Sequence, residues 1–253
     1  MTRARASSLL RHLPLALAVL VLVLLLAAPQ LFRPLFATVN PLGATAIYDR
    51  ASLWSLTLDH LEIVLAAGLV STIVAVLLGI VVTRRDGAEF MPFARTLTNL
   101  GQAFPPVAVL AIAVPLLGFG FRPTFVALFA YGLLPIFENT VAGLRSVPPQ
   151  TIEAARGMGM SRGRILREVE LPLAAPLILA GIRISTIINF GTATIGSTVG
   201  AKGLGEIIVA GLQSNNTAYI LQGGVAVALL AILFDRIFAI AISRTSRHRA
   251  VPA

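Results

Sequence analysis

Apolar residues in this chain occur in long runs that are separated by short polar segments. Each run approaches the length of about 20 residues that a helix needs to cross roughly 30 Å of hydrocarbon. The pattern therefore predicts an all-α polytopic membrane protein with about six transmembrane helices. The predicted spans are residues 13–32, 61–83, 97–117, 124–143, 173–199 and 222–242.

The first run has two possible interpretations. It could belong to a cleaved signal peptide, with small residues 27–28 as the cleavage site. The run is long for the apolar core of a signal peptide, however, and Pro29 would directly follow the cut. We therefore expect an uncleaved first span. Residues 33–60 then form an external loop with an interfacial Trp54 and a solvated His60.

Prolines interrupt the third predicted span. Pro105 and Pro106 stand together near its middle, and Pro115 lies close to its end. Each proline removes a backbone donor from a helix inside the membrane. The sequence therefore predicts kinks in this span, and it leaves open whether they are fixed or belong to a moving helix.

Composition and charge agree with a membrane protein. Only 12% of the 253 residues are charged, whereas soluble domains carry about a quarter. The chain has no cysteine, which excludes disulfides and thiolate metal sites. Of its 20 basic residues, 14 lie in the predicted inner segments and four in the outer segments. Because basic loops stay in the cytoplasm, this bias predicts that both termini are cytoplasmic, and it explains the net charge of +9 without nucleic acid.

The longest charged segment lies between the fourth and fifth spans, at about residues 144–172, and we call it the charged loop. Its first part, Glu153-Ala154-Ala155, is expected to open a helix. Alanine has the highest helix propensity, and a glutamate in the first turn suits the positive end of the helix dipole. Thr151 is the expected N-cap of this helix.

The second part of the charged loop is predicted to turn and form another short helix. Gly157 and Gly159 weaken the first helix and permit the turn. Ser161 is the expected cap of a helix over residues 162–170. Pro172 is expected to mark a break before the fifth span.

These residues resemble the EAA loop of ABC importer permeases. The family pattern is E-A-A, three residues, G, nine residues, and I-x-L-P. The chain matches each fixed position except one, because Val169 replaces the isoleucine. The resemblance implies a type I ABC importer permease (MetI-like) helical bundle with a cytoplasmic loop that couples to an ATPase. The coupling residues that it implies are Glu153, Ala154, Ala155, Gly159, Leu171 and Pro172.

Further segments are similar to permeases for osmoprotectants such as glycine betaine, choline and carnitine. They are residues 191–195, the Gly-Ala-Lys-Gly-Leu-Gly element at 200–205, Asn-Asn-Thr at 215–217, and 228–235. The similarity covers about residues 61–243. It implies an importer in the bacterial inner membrane with ATPase subunits, an external solute-binding protein and a second permease subunit, identical or homologous. An importer for an amino acid such as methionine, and an ATPase-independent channel or carrier, are the alternatives.

The chain lacks the motifs of a catalyst. It contains no Gly-x4-Gly-Lys-Ser/Thr, no His-Glu-x-x-His and no plausible nucleophile elbow. We therefore expect no catalytic residue, no metal site and no cofactor in this chain. ATP and Mg²⁺ are expected in the partner ATPase.

Polar and small residues in the fifth span are candidates for a translocation path. Small residues let helices approach closely, and polar residues inside a membrane often mark a transport pathway. Tight helix packing alone is the alternative explanation. The candidates are Asn189, Thr192, Thr194, Ser197 and Thr198.

Charged residues inside the spans predict an ion network. Arg183 lies about ten residues into the fifth span, and Asp235 lies about eight residues before the end of the sixth. At 1.5 Å per residue, both lie roughly 12–15 Å from the inner helix ends. Glu138 enters the same layer from the fourth span. We expect Arg183 to pair with Asp235 or Glu138. The alternative is that these side chains extend so that their charged ends lie at the inner membrane interface.

The sequence thus predicts three regions. Residues 1–60 hold the N-terminal tail, the first span and the external loop. Residues 61–243 form the permease core, which includes the charged loop. Residues 244–253 are a basic cytoplasmic tail.

Overall fold

The structure is a computed structural model that describes residues 2–40 and 44–247, with side chains for 15–40 and 44–246. The last residues of the predicted basic tail, 248–253, lie outside the described residues. The described part is helical and contains no strand. Its α-helices are α1 Thr2–Ala27, α2 Arg33–Ala37, α3 Leu53–Thr83, α4 Met91–Ala103, α5 Pro106–Leu117, α6 Phe121–Arg145, α7 Pro149–Gly157, α8 Arg162–Ile165, α9 Leu171–Gly196, α10 Gly205–Gln213 and α11 Thr217–Arg247.

Four helical segments are long and apolar enough to cross a membrane. They are α3, α6, the continuous helix Arg162–Val199, and most of α11. Two further candidate spans are pairs of helices bent at a short break, which brings the possible number to six within the described residues. The prediction of an all-α polytopic membrane protein is confirmed.

The first helix ends earlier than the sequence pattern predicts. Helix α1 stops at Ala27, and the next segment, Pro29–Ala37, leaves at 108°. Ala28 has a non-helical backbone, with φ −139° and ψ 60°. Proline cannot donate to the preceding turn and restricts the residue before it. Pro29 therefore ends the helix although apolar residues continue beyond it.

Helix α3 begins eight residues before the predicted second span, so the end of the predicted external loop is helical. The buried positions in its first turns recur at helical spacing, at Leu53, Leu56, Thr57, His60 and Ile63. The prediction of a solvated His60 is wrong, because this side chain is only 1% exposed. Polar residues stand between the apolar ones in this segment. A prediction from continuous apolar runs therefore misses this amphipathic helix.

The predicted kink in the third span is a sharp break. Helices α4 and α5 meet at 95° around Pro105. Side chains satisfy backbone groups at the break, as a membrane interior requires. The Tyr131 hydroxyl donates to the carbonyl oxygen of Phe104. The Gln102 amide donates to the backbone carbonyl of Tyr131, at 3.0 Å.

The chain divides into two compact units. The first unit comprises Met1–Val64, Leu110–Phe125 and Phe190–Arg236, and the second comprises Leu65–Val109, Val126–Asn189 and Ile237–Ala253. In the second unit, helices α3, α4 and α6 share a core of Ala75, Val82, Met91, Ala94, Ile136, Phe137 and Val141.

Helices α6 and α9 approach each other closely in the second unit. A Cβ at Gly181 would lie 2.6 Å from the carbonyl oxygen of Pro135. Only glycine fits at that distance, and small residues are the usual contact points between membrane helices. The close approach thus fixes where the start of α9 lies in this unit.

In the first unit, a polar cluster holds the segment before α3 against α10 and α11. The Tyr48 hydroxyl donates to Glu206 at 2.9 Å, and its backbone N–H donates to Gln222 at 3.0 Å. The Tyr48 ring meets the ring of Tyr219 edge-on, with centroids 5.3 Å apart. Burial, and secondarily the hydrogen bond to the Glu206 carboxylate, raises the pKa of Tyr48 to about 12.

The raised pKa predicts a loss of stability at high pH. The fold favours the protonated phenol, so its contribution is fully present below the unfolded pKa of about 10 and is lost as the pH rises through the folded pKa of about 12. The loss should be on the order of 2 kcal/mol. Thermal unfolding in detergent at pH 9 and pH 11.5 measures it. In Tyr48→Phe the drop between these pH values should be smaller by that amount, and an equal drop in both proteins would contradict the assignment.

Candidate functional site

The charged loop begins with helix α7, whose start is set by prolines. Pro148 is the N-cap, and Pro149 is the first helical residue. Proline suits that position because its missing N–H would have no helical partner and its φ is already helical. The prediction of Thr151 as the N-cap is therefore wrong. Thr151 lies inside the helix, where its N–H donates to the carbonyl of Pro148 at 3.0 Å.

Helix α7 presents an exposed face that contains two of the six predicted coupling residues. Glu153 and Ala154 are exposed, whereas Ala155 is buried and 2% exposed. Met158 is 75% exposed, although it is a large apolar side chain. The Glu-Ala-Ala sequence thus combines two exposed positions with one small residue that packs inward.

The turn after α7 requires glycine at one of its two predicted positions. Gly159 has φ +80°, in the left-handed region. Its N–H donates to the Arg156 carbonyl at 2.9 Å, and the N–H of Met160 donates to the Ala155 carbonyl at 3.2 Å. These two bonds form a Schellman motif, which ends a helix and satisfies its last carbonyls. Gly157, by contrast, is still helical and has open space around it.

The second helix of the charged loop continues into the fifth span without a break. Ser161 caps it as predicted, accepting from the N–H of Arg164 at 3.4 Å. Residues Leu166–Glu170 form a π-helical turn, in which the N–H of Leu171 donates to the Leu166 carbonyl. The predicted break at Pro172 is wrong, because the wider turn moves aside the carbonyls that the proline ring would meet in an α-helix.

An ion pair ties the end of the charged loop to the end of α3. Arg84 donates to Glu170 at 2.6 Å, and the Glu170 side chain is only 8% exposed. Sequence analysis did not single out this pair. The sequence does indicate this pair, because Arg84 directly follows one apolar run and Glu170 directly precedes another. Residues at such ends meet at the same level of a membrane protein, and a carboxylate there needs a cation.

The predicted path residues of α9 differ in exposure. Asn189 is fully buried, and neither polar atom of its side chain has a hydrogen-bond partner among the described residues. Thr194 and Thr198 donate to carbonyls of their own helix at 2.7 and 2.6 Å. Ser197 donates to the Ala201 carbonyl at 2.9 Å. Thr192 is half-buried and has an interaction of its own, and the role of all five in transport stays a prediction.

Glu138 has a partner that sequence analysis did not propose. Arg95 donates to both of its carboxylate oxygens, at 2.7 and 2.9 Å. Arg183 and Asp235 are each engaged in an interaction as well. The predicted pairing of Arg183 with Asp235 or Glu138 stays a prediction.

The Gly-Ala-Lys-Gly-Leu-Gly element is a turn in the first unit that only glycines can form. Gly200 and Gly203 have φ +82° and +148°. A Cβ at Gly203 would also lie 3.0 Å from Nδ1 of His60, and one at Gly205 would lie 2.6 Å from Cα of Thr194. The buried His60 packs against this turn at Gly203, and its Nε2 lies 3.2 Å from the carbonyl oxygen of Phe190 in α9.

Asn-Asn-Thr likewise has a structural role. Asn215 has φ +51°, and the Asn216 side chain caps α11 by accepting from the N–H of Tyr219 at 3.2 Å. The Asn216 amide also donates to the Thr45 carbonyl at 2.9 Å.

No group of three or more His, Cys, Asp or Glu side chains that could hold a metal ion gathers within the described residues.

Replacing Gly159 should weaken the turn of the charged loop. In Gly159→Ala the left-handed backbone costs about 1–2 kcal/mol, because the Cβ meets the following carbonyl. The matched control is Gly157→Ala, which lies in open space on a helical backbone and should stabilise the helix by up to about 1 kcal/mol. Hydrogen exchange of the loop amides measures both. Equal exchange rates in the two variants would contradict a left-handed requirement at Gly159.

Removing the Glu170 charge should destabilise the protein more than removing the neighbouring Glu168 charge. Glu170→Gln leaves Arg84 without its carboxylate, at a cost of about 1–3 kcal/mol. Glu168→Gln is the matched control, because that residue forms an exposed i,i+4 pair with Arg164, worth about 0.5 kcal/mol or less. Thermal unfolding of the purified chain compares them. A smaller shift for Glu170→Gln than for Glu168→Gln would contradict an anchoring role for Glu170.

Comparison with known proteins identifies the family. The profile described as "Binding-protein-dependent transport system inner membrane component" matches residues 75–247. The osmoprotectant import permease protein OsmY of Salmonella typhimurium is 42% identical over 189 residues, 75% of this chain and 80% of that protein. The choline transport system permease protein OpuBB of Bacillus subtilis is 45% identical over 186 residues, 73% of this chain and 84% of that protein.

A third relative is similar over a comparable share of the chain, and solved structures of transporters share the fold. The glycine betaine/carnitine/choline transport system permease protein OpuCB of Bacillus subtilis is 43% identical over 184 residues, 72% of this chain and 83% of that protein. A structure of the MetNI methionine ABC transporter in an inward-facing conformation has a TM-score of 0.69 at 22% identity, covering 78% of this chain and 99% of that one. An amino acid ABC transporter has a TM-score of 0.62 at 18% identity, covering 76% of this chain and 93% of that one. At these identities the solved structures show the fold alone, and they confirm the predicted type I permease fold. The chain belongs to the family of binding-protein-dependent transport system inner membrane components and is a permease subunit of an ABC importer.

Proposed function

We propose that this permease moves osmoprotectants, quaternary ammonium solutes such as glycine betaine, choline or carnitine, into the cytoplasm. The observation that carries this proposal is the identity of 42–45% to permeases with these named substrates, over about three quarters of the chain. A methionine or other amino-acid importer is less favoured, because the transporters of that kind resemble this chain at only 18–24% identity.

The partners follow from the family. Members are binding-protein-dependent, so an external solute-binding protein is expected to deliver the solute. Two cytoplasmic ATPase subunits bind ATP and Mg²⁺ and supply the energy, since this chain has no P-loop. A second permease subunit, a copy of this chain or a homologue, completes the passage. Both termini are cytoplasmic in this scheme, in accord with the distribution of basic residues.

Helix α7 is the proposed contact with the ATPase. Its exposed face holds Glu153, Ala154 and the solvent-facing Met158. Apolar side chains with this exposure, rimmed by charges, are typical of protein interfaces. Glu153 is suited to accept hydrogen bonds that orient α7 in a groove of the partner. Gly159 holds the angle at which α7 leaves the next helix.

The rest of the charged loop is suited to transmit motion into the membrane. The helix Arg162–Val199 is continuous, so a displacement at α8 carries into α9 along one rod. The ion pair between Arg84 and Glu170 joins the base of that rod to α3. Closure of the two ATPases would thus tilt α3 and α9 together and open the passage outward. The polar residues from Asn189 to Thr198 are the proposed lining of that passage.

Uptake of radiolabelled solute tests this proposal. Cells that express the chain with its cognate ATPase and binding protein should accumulate glycine betaine, choline or carnitine only when ATP is available. Glu153→Gln should reduce uptake about tenfold, because a hydrogen bond to a charged acceptor is worth about 1.5–3 kcal/mol. Glu168→Gln is the matched control and should retain uptake, since that exposed glutamate lies outside the EAA pattern.

The outcomes separate the cargo from the coupling. Uptake of a labelled amino acid in place of the quaternary ammonium solutes would overturn the cargo while leaving the permease assignment intact. Wild-type uptake by Glu153→Gln would overturn the coupling role of α7. Assembly of the complex, checked by co-purification of the ATPase, distinguishes lost coupling from lost expression.

A further inference from the structure

A cavity of about 1140 Å³ lies beneath the charged loop, within the second compact unit. Residues from the end of α3, the end of α6, α7 and α8 line it. The six predicted coupling residues do not line it, whereas Ile152 and the exposed Arg156 of α7 do. From its lining we propose that this cavity binds a phosphate group.

The charge of the lining points to an anion. Five arginines and two carboxylates line the cavity, which gives it a net charge of +3. Only Arg84 has an ion-pair partner among them, the buried Glu170. The other four guanidiniums make no ion pair or hydrogen bond with the described residues. They are Arg85, Arg145, Arg156 and Arg162.

Four like charges around one cavity repel each other, although solvent weakens the repulsion because all four side chains are exposed. The arginines come from four separate places in the chain, so neighbouring residues along one helix do not account for their convergence. Asp86 also lines the cavity, and it offsets only one of the four charges. A bound anion would relieve the remaining repulsion, and binding would therefore stabilise the protein.

The donor geometry favours phosphate over a single-charge anion such as chloride. Guanidinium groups present planar forks of N–H donors that match the oxygens of a phosphate. The Nε atom of Arg84 is buried and has no hydrogen-bond partner among the described residues. This donor is left over after Arg84 has used its terminal nitrogens on Glu170 and Thr83. Because it has almost no accessible surface, however, this Nε does not face the cavity. The donors that the cavity offers are the four guanidiniums without a partner among the described residues.

The place of the cavity relates it to the membrane surface. Arg84 directly follows α3, and Arg145 ends α6, so both lie where an apolar span stops. Phospholipid headgroups occupy this level, and basic residues there attract anionic lipids. A phosphate group at this place can come from such a headgroup or from soluble phosphate. Both supply the same chemistry, and the two sources are separable by experiment.

The test measures binding to the purified full-length chain in a neutral detergent. Native mass spectrometry compares phosphatidylglycerol with a galactolipid that has the same acyl chains and no phosphate. Calorimetry with inorganic phosphate examines the soluble source. The cavity variant is Arg85→Gln with Arg145→Gln. The matched control, Arg167→Gln with Arg244→Gln, removes the same charge from exposed arginines outside the cavity.

We expect the cavity variant to bind phosphate-bearing ligand about tenfold more weakly or worse, because it loses two charge-assisted contacts. The control should bind like the wild type. Arg85→Lys with Arg145→Lys keeps both charges but loses both forks, so it should bind more tightly than the glutamine variant and more weakly than the wild type. Thermal unfolding of all four proteins, with and without phosphate, provides a second reading of the same affinity.

Each outcome decides the proposal. Loss of phosphatidylglycerol in the cavity variant alone supports the site with a lipid headgroup as its ligand. Loss of inorganic phosphate without any lipid preference supports the site with a soluble ligand. Equal binding by the cavity variant and the control overturns it. Unchanged phosphate binding with loss of ATPase association also overturns it, in favour of an acidic segment of that partner. Because the readout is binding, the result does not depend on the transported solute.

Discussion

The structure depends on one constraint of the bilayer: each backbone N–H and C=O at membrane depth needs a partner inside the protein. The chain carries prolines in or beside several spans, and a proline inside a helix leaves the carbonyl of the preceding turn without its N–H donor. The protein accommodates these prolines in different ways. At Pro105 the span breaks, and the Tyr131 hydroxyl serves the carbonyl of Phe104. Before Pro172 the helix widens into a π turn instead, and it continues. The first solution allows a 95° bend, whereas the second preserves a rod.

That difference matters for the function of a permease. A loop that receives force from a partner can move a span only if the two are mechanically continuous. In this protein the charged loop turns at the left-handed Gly159 and is helical from Arg162 onward. The ion pair between Arg84 and Glu170 adds a lateral connection to α3. In the proposed mechanism, motion of α7 is passed to both of these spans.

Segments that relate the chain to osmoprotectant permeases have structural roles here. The glycines at 200, 203 and 205 form a turn that no other residue fits, and Asn216 caps a helix. Both elements therefore shape the backbone of the first unit. Among the proposed path residues, Asn189 stands out because its amide is fully buried without a partner among the described residues.

The sequence by itself determined the helical membrane class, the break at Pro105, the turn at Gly159 and the cap at Ser161. Each depends on local composition or on the conformational limits of a single residue, which the sequence states directly. Tertiary structure decided what depends on distant partners. In the folded protein, His60 is buried against the turn at Gly203. Glu170 forms an ion pair with Arg84, and Glu138 forms one with Arg95. The helix also continues through Pro172, because a π turn directly precedes it. The five arginines of the cavity come from different parts of the chain, and only the fold brings them to one place.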